Sequence, residues 1–296
     1  MIPFFSVVIP TFNSADFLRR SLNSVLSQTF QNIEVIVVNN SSTDHTEDVL
    51  DEFQSSKLKR LNVNNRGIIA HSRNKGIEDS TGQWIAFLDS DDTWNEGKLE
   101  IVHACIQKHP NHILFCHDEW EILNGKRMKR LCYGPASKNQ YETLLFKGNC
   151  LSTSATCIRH DAAVETNGFS EAEAFVTAED YEYWIRLAQV GSFYFLKEAL
   201  GEYHRHGSNV SSDIDKQVQA SMAVREYHFQ NWIAAFPNKI SRIRQARVKM
   251  WTSSAHHYGK NQHRKKALYY VSKVLRHSQF YWKAWLILFL LLIRRR

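Results

Sequence analysis

The sequence predicts an α/β fold, a mainly parallel sheet flanked by helices, followed by an α-helical C-terminal extension. Residues 5–89 alternate short apolar runs with amphipathic stretches, the pattern of parallel strands joined by crossover helices. Trp84-Ile85-Ala86-Phe87-Leu88 is apolar at every position, as a strand in a sheet covered on both faces must be. After Ser212 the pattern is helical almost throughout.

Ser6–Pro10 reads as the first buried strand and Asp16–Ser27 as a helix, with Phe17, Leu18, Leu22, Val25 and Leu26 at helical spacing. Glu34–Val38 follows as a strand, Asp44–Phe53 as a helix, Arg60–Val63 as a strand and Ile68–Ile77 as a helix ahead of Gly82. From about residue 100 the pattern is less regular. It predicts a helix over Lys98–Lys108, a strand at Ile113–Cys116, a loop across Asn124–Asn139, a helix over Ala178–Val190 and a strand at Phe193–Leu196. The helical extension is expected to break at Phe236-Pro237-Asn238 and near Gly259 and Ser278. Two domains are expected, 1–212 and 213–296.

A composition 43% hydrophobic and 23% charged excludes disorder and collagen-like repeats. The five cysteines form no C-x-x-C pair, so neither a disulfide framework nor a thiolate zinc site is expected and a reducing compartment fits. The Met-Ile-Pro-Phe-Phe start lacks a basic n-region, so a cytosolic protein is expected. Ala284–Ile293 is an unbroken apolar run, but as a helix it spans only about 15 Å of a ~30 Å hydrocarbon core. The formal charge of +7 hides a segregation: residues 211–296 carry 17 basic and 3 acidic side chains, residues 1–210 carry 20 and 27. Any anionic surface is therefore expected to be met by the tail.

Three carboxylates, Asp89, Asp91 and Asp92, crowd the end of the Trp84–Leu88 strand. Such crowding is unfavourable unless a cation or solvent neutralises it, and strand carboxyl ends are where open α/β sheets bind ligands. The tetrapeptide alone reads equally as a divalent-cation site or as an acidic turn in which Asp91 or Asp92 caps the helix leading to Lys98. Thr11, Phe12 and Asn13 follow strand one and Asn39, Asn40 and Ser41 follow strand two, so their side chains are expected on the same sheet edge. No G-x-G-x-x-G or P-loop pattern is present.

Five stretches stand out in order along the chain: Ser6-Val7-Val8-Ile9-Pro10-Thr11-Phe12-Asn13; Glu34–Val38 before the Asn-Asn-Ser-Ser-Thr-Asp turn; Arg73-Asn74-Lys75-Gly76 ahead of Gly82–Asp92; Ala178–Trp184; and Tyr203-His204-Arg205-His206-Gly207-Ser208-Asn209-Val210-Ser211. In these motifs, over roughly residues 5–212, the chain resembles the inverting glycosyltransferases of family two, with the GT-A fold. The resemblance implies a hexosyltransferase using a nucleotide-diphosphate sugar, with a UDP-sugar as first expectation. Pro10, Thr11, Asn13 and Asn40 would line the nucleoside pocket, Arg73 would approach the diphosphate, and Asp89 with Ser90 would hold the ribose end. Asp91, with Asp92 alongside and His206 nearby, would bind Mn²⁺ or Mg²⁺. Asp180, with Glu179 beside it, would be the catalytic base, although two first-turn acids are also what any helix N-terminus favours. The turn after strand two departs from the family's commonest Asp-Asp-Gly-Ser-x-Asp, and His204 stands where arginine is more usual.

The tail matches no catalytic motif. Its aromatic-rich apolar end, flanked by cations and closed by Arg294-Arg295-Arg296, fits a helix lying on an anionic membrane surface. It fits equally a helical hairpin with Leu268, Val271 and Leu275 against Trp285, Leu288 and Leu292. The expected partners are a nucleotide-sugar donor, a glycan or lipid-linked acceptor in cell-surface polysaccharide assembly, and the inner face of the cell membrane. A pI near 9.1 with interleaved aromatics would suit a nucleic-acid binder, but the acidic front repels a phosphate backbone and no nucleic acid is expected. A catalytically silent sugar-nucleotide-binding protein is the remaining alternative, against which the intact Asp89, Asp91 and Asp180 argue.

Overall fold

The computed structural model describes residues 2–134, 137, 139–207 and 213–293. The Ser208–Ser211 end of the histidine motif and Arg294–Arg296 lie outside the described residues. The chain divides into two compact units, residues 1–144 with 148–212, and residues 145–147 with 213–296.

The first unit opens with β1 (Phe5–Thr11), α1 (Ala15–Leu26), β2 (Ile33–Asn39), α2 (Thr46–Asp51), β3 (Leu58–Asn62), α3 (Ile69–Asp79) and β4 (Trp84–Phe87). These four strands are parallel, in the spatial order β3-β2-β1-β4. β1, β2 and β4 are buried at every position, so both sheet faces are covered, as their unbroken apolar sequences require. Phe5, Val7 and Ile9 face a core that holds Leu18, Leu22 and Val25 of α1 and Val49 and Leu50 of α2. On the other face Val8 meets α3, where Gly76 allows the approach: a Cβ there would lie 2.2 Å from Val8 Cγ1.

Next come β5 (Thr93–Trp94), α4 (Lys98–Lys108), β6 (His112–Leu123), β7 (Lys126–Leu131), α5 (Gln140–Lys147), β8 (Thr156–Arg159), α6 (His160–Glu165), α7 (Glu179–Val190) and β9 (Ser192–Arg205). β8 is antiparallel to β4 and to β6, and β9 runs parallel to β6, so the sheet is mixed beyond β4. Three expectations are corrected. β6 continues far past Cys116, because His117, Asp118 and Glu119 are buried with partners: Arg130 binds Asp118 at 2.9 Å and the Tyr133 hydroxyl donates to Glu119 at 2.8 Å. The expected loop after Asn124 contains β7, reached through an Asn124-Gly125 turn whose φ values of 51° and 72° are those of a tight hairpin. Neither Asp91 nor Asp92 caps α4; Gly97 holds that position.

The second unit contains α8 (Ile214–Ala235), α9 (Ile240–Lys260), α10 (Arg264–His277) and α11 (Trp282–Ile293). Asp213 caps α8 by accepting hydrogen bonds from the N–H groups of Asp215 and Lys216. The break expected near Gly259 falls three residues later, where Gln262 takes φ of 63°. Trp251, Ala255 and Tyr258 of α9, Ala267, Val271 and Val274 of α10, and Ala284, Ile287 and Leu291 of α11 share one core. The Trp285 and Leu292 side chains expected in that contact are exposed instead. Among the described residues no helix is long and apolar enough to cross a membrane.

Gly76→Ala is expected to cost about 1–3 kcal/mol through overpacking against Val8, read as a lower urea midpoint with unchanged slope.

Candidate active site

Because β1, β2 and β4 are parallel, their carboxyl ends share one sheet edge, with Thr11 in register with Asn39. Two non-glycine residues turn the chain there with positive φ, Asn13 at 46° and Ser41 at 51°. The two turns are laced together: Asn13 Oδ1 accepts from the Thr43 N–H at 2.7 Å, the Asn13 N–H donates to Ser42 Oγ at 2.9 Å, and Asp44 accepts from the Ala15 N–H at 3.1 Å. Asn39 Oδ1 takes the Ser42 N–H and hydroxyl. Asn40 Oδ1 accepts from the Asn65 N–H at 2.7 Å, and its amide hydrogens have no acceptor among the described residues. Pro10 is buried within β1; Thr11 Oγ1, also buried, has no hydrogen-bond partner among the described residues, an unmet polar group at the end of the strand.

Arg73 of α3 reaches under this edge. One guanidinium nitrogen donates to Asp89 at 2.7 Å and another to Glu179 at 2.6 Å, with the arginine and glutamate side chains only 4% and 7% exposed. Glu179 accepts a further bond from the Thr177 N–H at 2.9 Å, so it is an anchored carboxylate. Burial works against the Arg73 charge, but Asp89 and Glu179 more than offset it, and the guanidinium is held charged. Arg73 Nε is buried without a partner among the described residues.

The acidic turn is fastened from three sides. Ser21, the polar residue within the buried stripe of α1, donates to the carbonyls of Asp89 and Asp92; Ser154 donates to Asp92 Oδ2 at 2.6 Å and accepts from the Asp89 N–H at 3.1 Å. Asp92 is fully buried and takes the His204 N–H on its other oxygen, while Ser90 is buried beside it. Asp91 lies 3.0 Å from His206 Nε2, and the Phe17 ring stacks on that imidazole at 4.3 Å. Burial, and then the neighbouring acids, push both Asp91 and Asp92 above the ordinary carboxylate range, a cost that a cation would relieve. A carboxylate and an imidazole are side chains that could hold a manganese or magnesium ion here. Among the described residues no three His, Cys, Asp or Glu side chains form a complete cage.

Asp180 begins α7 beside Glu179. Burial, followed by repulsion from Glu179, raises its pKa to about 7, with Arg73 opposing and Asp89 adding. Asp89 thus lies within electrostatic reach of both Asp91 and Asp180, which gathers residues far apart in sequence around one centre. Asn149 Nδ2 donates to Asp180 Oδ2 at 3.2 Å. Just ahead, Thr177 adopts φ of 81°, a conformation that costs a β-branched residue about 1–3 kcal/mol and is typically kept where function needs it. Sequence reasoning missed Asn149, Ser154 and Thr177, which lie in stretches without periodicity. Ser21 was missed as well, although a serine spaced among Leu18, Leu22 and Val25 was a signal that could have found it.

Removing the guanidinium would leave Glu179 a buried unpaired charge, so Arg73→Gln is expected to lose about 3–5 kcal/mol in chemical denaturation. A carboxyl raised from 3.8 to about 7 on folding contributes stability at low pH that is lost as pH rises through the folded value. Asp180→Asn should therefore melt higher than the wild type at pH 8, with the difference shrinking toward pH 4.

A family model described as Glycosyl transferase family 2 matches residues 6–163. The UDP-Glc:α-D-GlcNAc-diphosphoundecaprenol β-1,3-glucosyltransferase WfgD of Escherichia coli is 29% identical over 231 residues, 77% of this chain and 88% of that protein. S. aureus TarS residues 1–349 in complex with UDP-GlcNAc superposes with a TM-score of 0.63 at 18% identity, covering 92% of this chain and 88% of that one. The mannosyltransferase PcManGT from Pyrobaculum calidifontis, in complex with GDP-Man and Mn²⁺, gives 0.61 at 15% identity over 97% and 79%. These likenesses bear on the fold, which is the GT-A fold. The chain belongs to glycosyltransferase family 2 and is a glycosyltransferase that uses a nucleotide-sugar donor.

Proposed function

We propose that this enzyme is a divalent-cation-dependent, inverting hexosyltransferase that moves a sugar from a UDP-sugar to a hydroxyl of a lipid-linked glycan acceptor, at the cytosolic face of the cell membrane, in assembly of a cell-surface polysaccharide. The observation that carries the chemistry is Asp180. It is a half-buried carboxyl whose pKa of about 7 suits a general base at neutral pH, tied electrostatically to the carboxylates that would face the donor. An acceptor hydroxyl attacks only as its proton is removed, and attack opposite the leaving group inverts the anomeric carbon. Glu179 is bonded to Arg73 and the Thr177 N–H, so in this reading it positions Asp180 and Arg73 and takes no proton.

Thr11, with its unmet hydroxyl, and Asn40, with its amide hydrogens, are assigned to the nucleoside, supported by their places at the carboxyl ends of β1 and β2; Pro10 and Asn13 are assigned to the same pocket. Asp89 and Ser90 are assigned to the ribose end. Arg73 Nε is the part of that guanidinium left for the diphosphate. Asp91 and His206 would hold Mn²⁺ or Mg²⁺, with Asp92 behind them fixing the turn. Bound there, the ion would neutralise charge on the departing nucleotide diphosphate. The UDP-glucose donor and diphosphoundecaprenol-linked acceptor in the name of the E. coli relative support this donor and acceptor class.

A panel of nucleotide sugars assayed for Mn²⁺-dependent hydrolysis and transfer tests the assignment. Asp180→Asn should lose transfer by about 10²–10⁴-fold while calorimetry shows donor binding retained. Asp91→Ala should lose donor affinity in the presence of Mn²⁺. On the acid side, wild-type kcat/KM should fall tenfold per pH unit below about 7, because the base must be unprotonated. Full transfer by Asp180→Asn would overturn its role.

A further inference from the structure

Helix α11 is apolar on every side, yet only one side is covered. Ala284, Ile287 and Leu291 pack into the core of the second unit, while seven of its large apolar residues are exposed, among them Trp282 (64%), Trp285 (52%) and Phe289 (58%). Phe280, just before it, is 95% exposed. Trp285 Nε1 donates to the Gln279 carbonyl at 2.8 Å, which fixes that indole against the turn joining α10 to α11.

His277, the last residue of α10, also lines a cavity of about 390 Å³ with Glu226, Arg244, Arg247, Trp251 and Lys273. Arg247 is neutralised by Glu226 at 2.7 Å. Arg244 and Lys273 have no carboxylate partner among the described residues, and the Lys273 ammonium stands 5.6 Å from the Trp251 ring centroid. The cavity is therefore a cationic recess with an aromatic wall, suited to a phosphate ester. The same turn that carries Phe280 and receives Trp285 leads out of it.

We propose that the second unit docks on an anionic bilayer, with the outward face of α11 in the acyl boundary and the recess between α9 and α10 holding the phosphate of a lipid headgroup. The 17 basic and 3 acidic side chains of residues 211–296 favour this occupant over a second copy, which would bring like charges together. The exposed face of α11 is mainly apolar and offers little hydrogen bonding or charge to a phosphate backbone. Tryptophans beside an apolar face are the side chains that settle at the headgroup level. This inference stands apart from the chemistry of Asp180, and its test does not involve sugar transfer.

The test is co-sedimentation of the full chain with phosphatidylcholine vesicles, with and without phosphatidylglycerol. Wild type should sediment with the anionic vesicles, and its tryptophan emission should be quenched by brominated acyl chains, a readout that needs no variant. Trp285→Ser with Phe289→Ser should abolish the quenching. Arg244→Glu with Lys273→Glu should weaken binding to phosphatidylglycerol vesicles by about five-fold or more for each reversed charge, with donor hydrolysis and circular dichroism unchanged. Equal binding to neutral and anionic vesicles, no binding to either, or a solution dimer that the α11 variant dissociates would overturn the proposal. Inorganic phosphate that saturates the recess without releasing vesicles would overturn the headgroup assignment.

Discussion

The ion triad of Arg73 with Asp89 and Glu179 is the constraint on which the candidate site at the sheet edge depends. It joins three pieces of chain distant in sequence: the middle of α3, the turn after β4 and the first residue of α7. A guanidinium this buried stays charged because two carboxylates oppose the loss of its hydration, and the buried Glu179 is in turn held by the guanidinium and the Thr177 N–H. The arrangement also sets the neighbouring residue. Arg73 draws the Asp180 pKa down while Glu179 and burial drive it up, so the balance near neutrality is a property of the triad and the helix start together. The strained Thr177 and the Thr177–Glu179 hydrogen bond show how tightly that start is held.

The other acids of the edge pose a different electrostatic problem. Asp91 and Asp92 are raised because burial and their neighbours disfavour their charge, with His206 opposing the rise at Asp91 and Ser154 opposing it at Asp92. Within residues 1–210, where acids outnumber bases by 27 to 20, a nucleotide diphosphate would be repelled unless positive charge arrives with it. In the proposed reading, a divalent ion held by Asp91 and His206 would relieve both difficulties. Asp92 meanwhile spends its oxygens on the His204 N–H and Ser154, which keeps Asp91 aimed and ties β9 to the turn.

Where the sequence carries a strong period, it was readable. β1, β2 and β4 are apolar throughout, α1 and α7 have clear stripes, and the polar residues after β1, β2 and β4 fall on one edge because parallel strands put them there. The second half of β6 was hidden by His117, Asp118 and Glu119, which a local pattern assigns to solvent and which only long-range partners such as Arg130 and Tyr133 make tolerable inside. β7 was hidden in the same way: its Lys126-Arg127-Met128-Lys129-Arg130-Leu131 sequence carries no alternation, and the Asn124-Gly125 hairpin turn was its one local signal. The acid cluster was legible as a cluster. What could not be read was its internal division of labour, because the partner that anchors Glu179 lies 106 residues away.

The tail shows how two sequence readings that look exclusive can describe one helix. A hairpin contact and an interfacial face were set against each other because an apolar run as short as α11 is compatible with either. The structure gives the hairpin to Ala284, Ile287 and Leu291, three positions within two turns, and Leu288 supports them at the margin. That stripe is too narrow to use the rest of the helix. Every remaining apolar side chain of α11 is therefore surplus to the unit's own core, and burying those side chains elsewhere is the driving force available for docking.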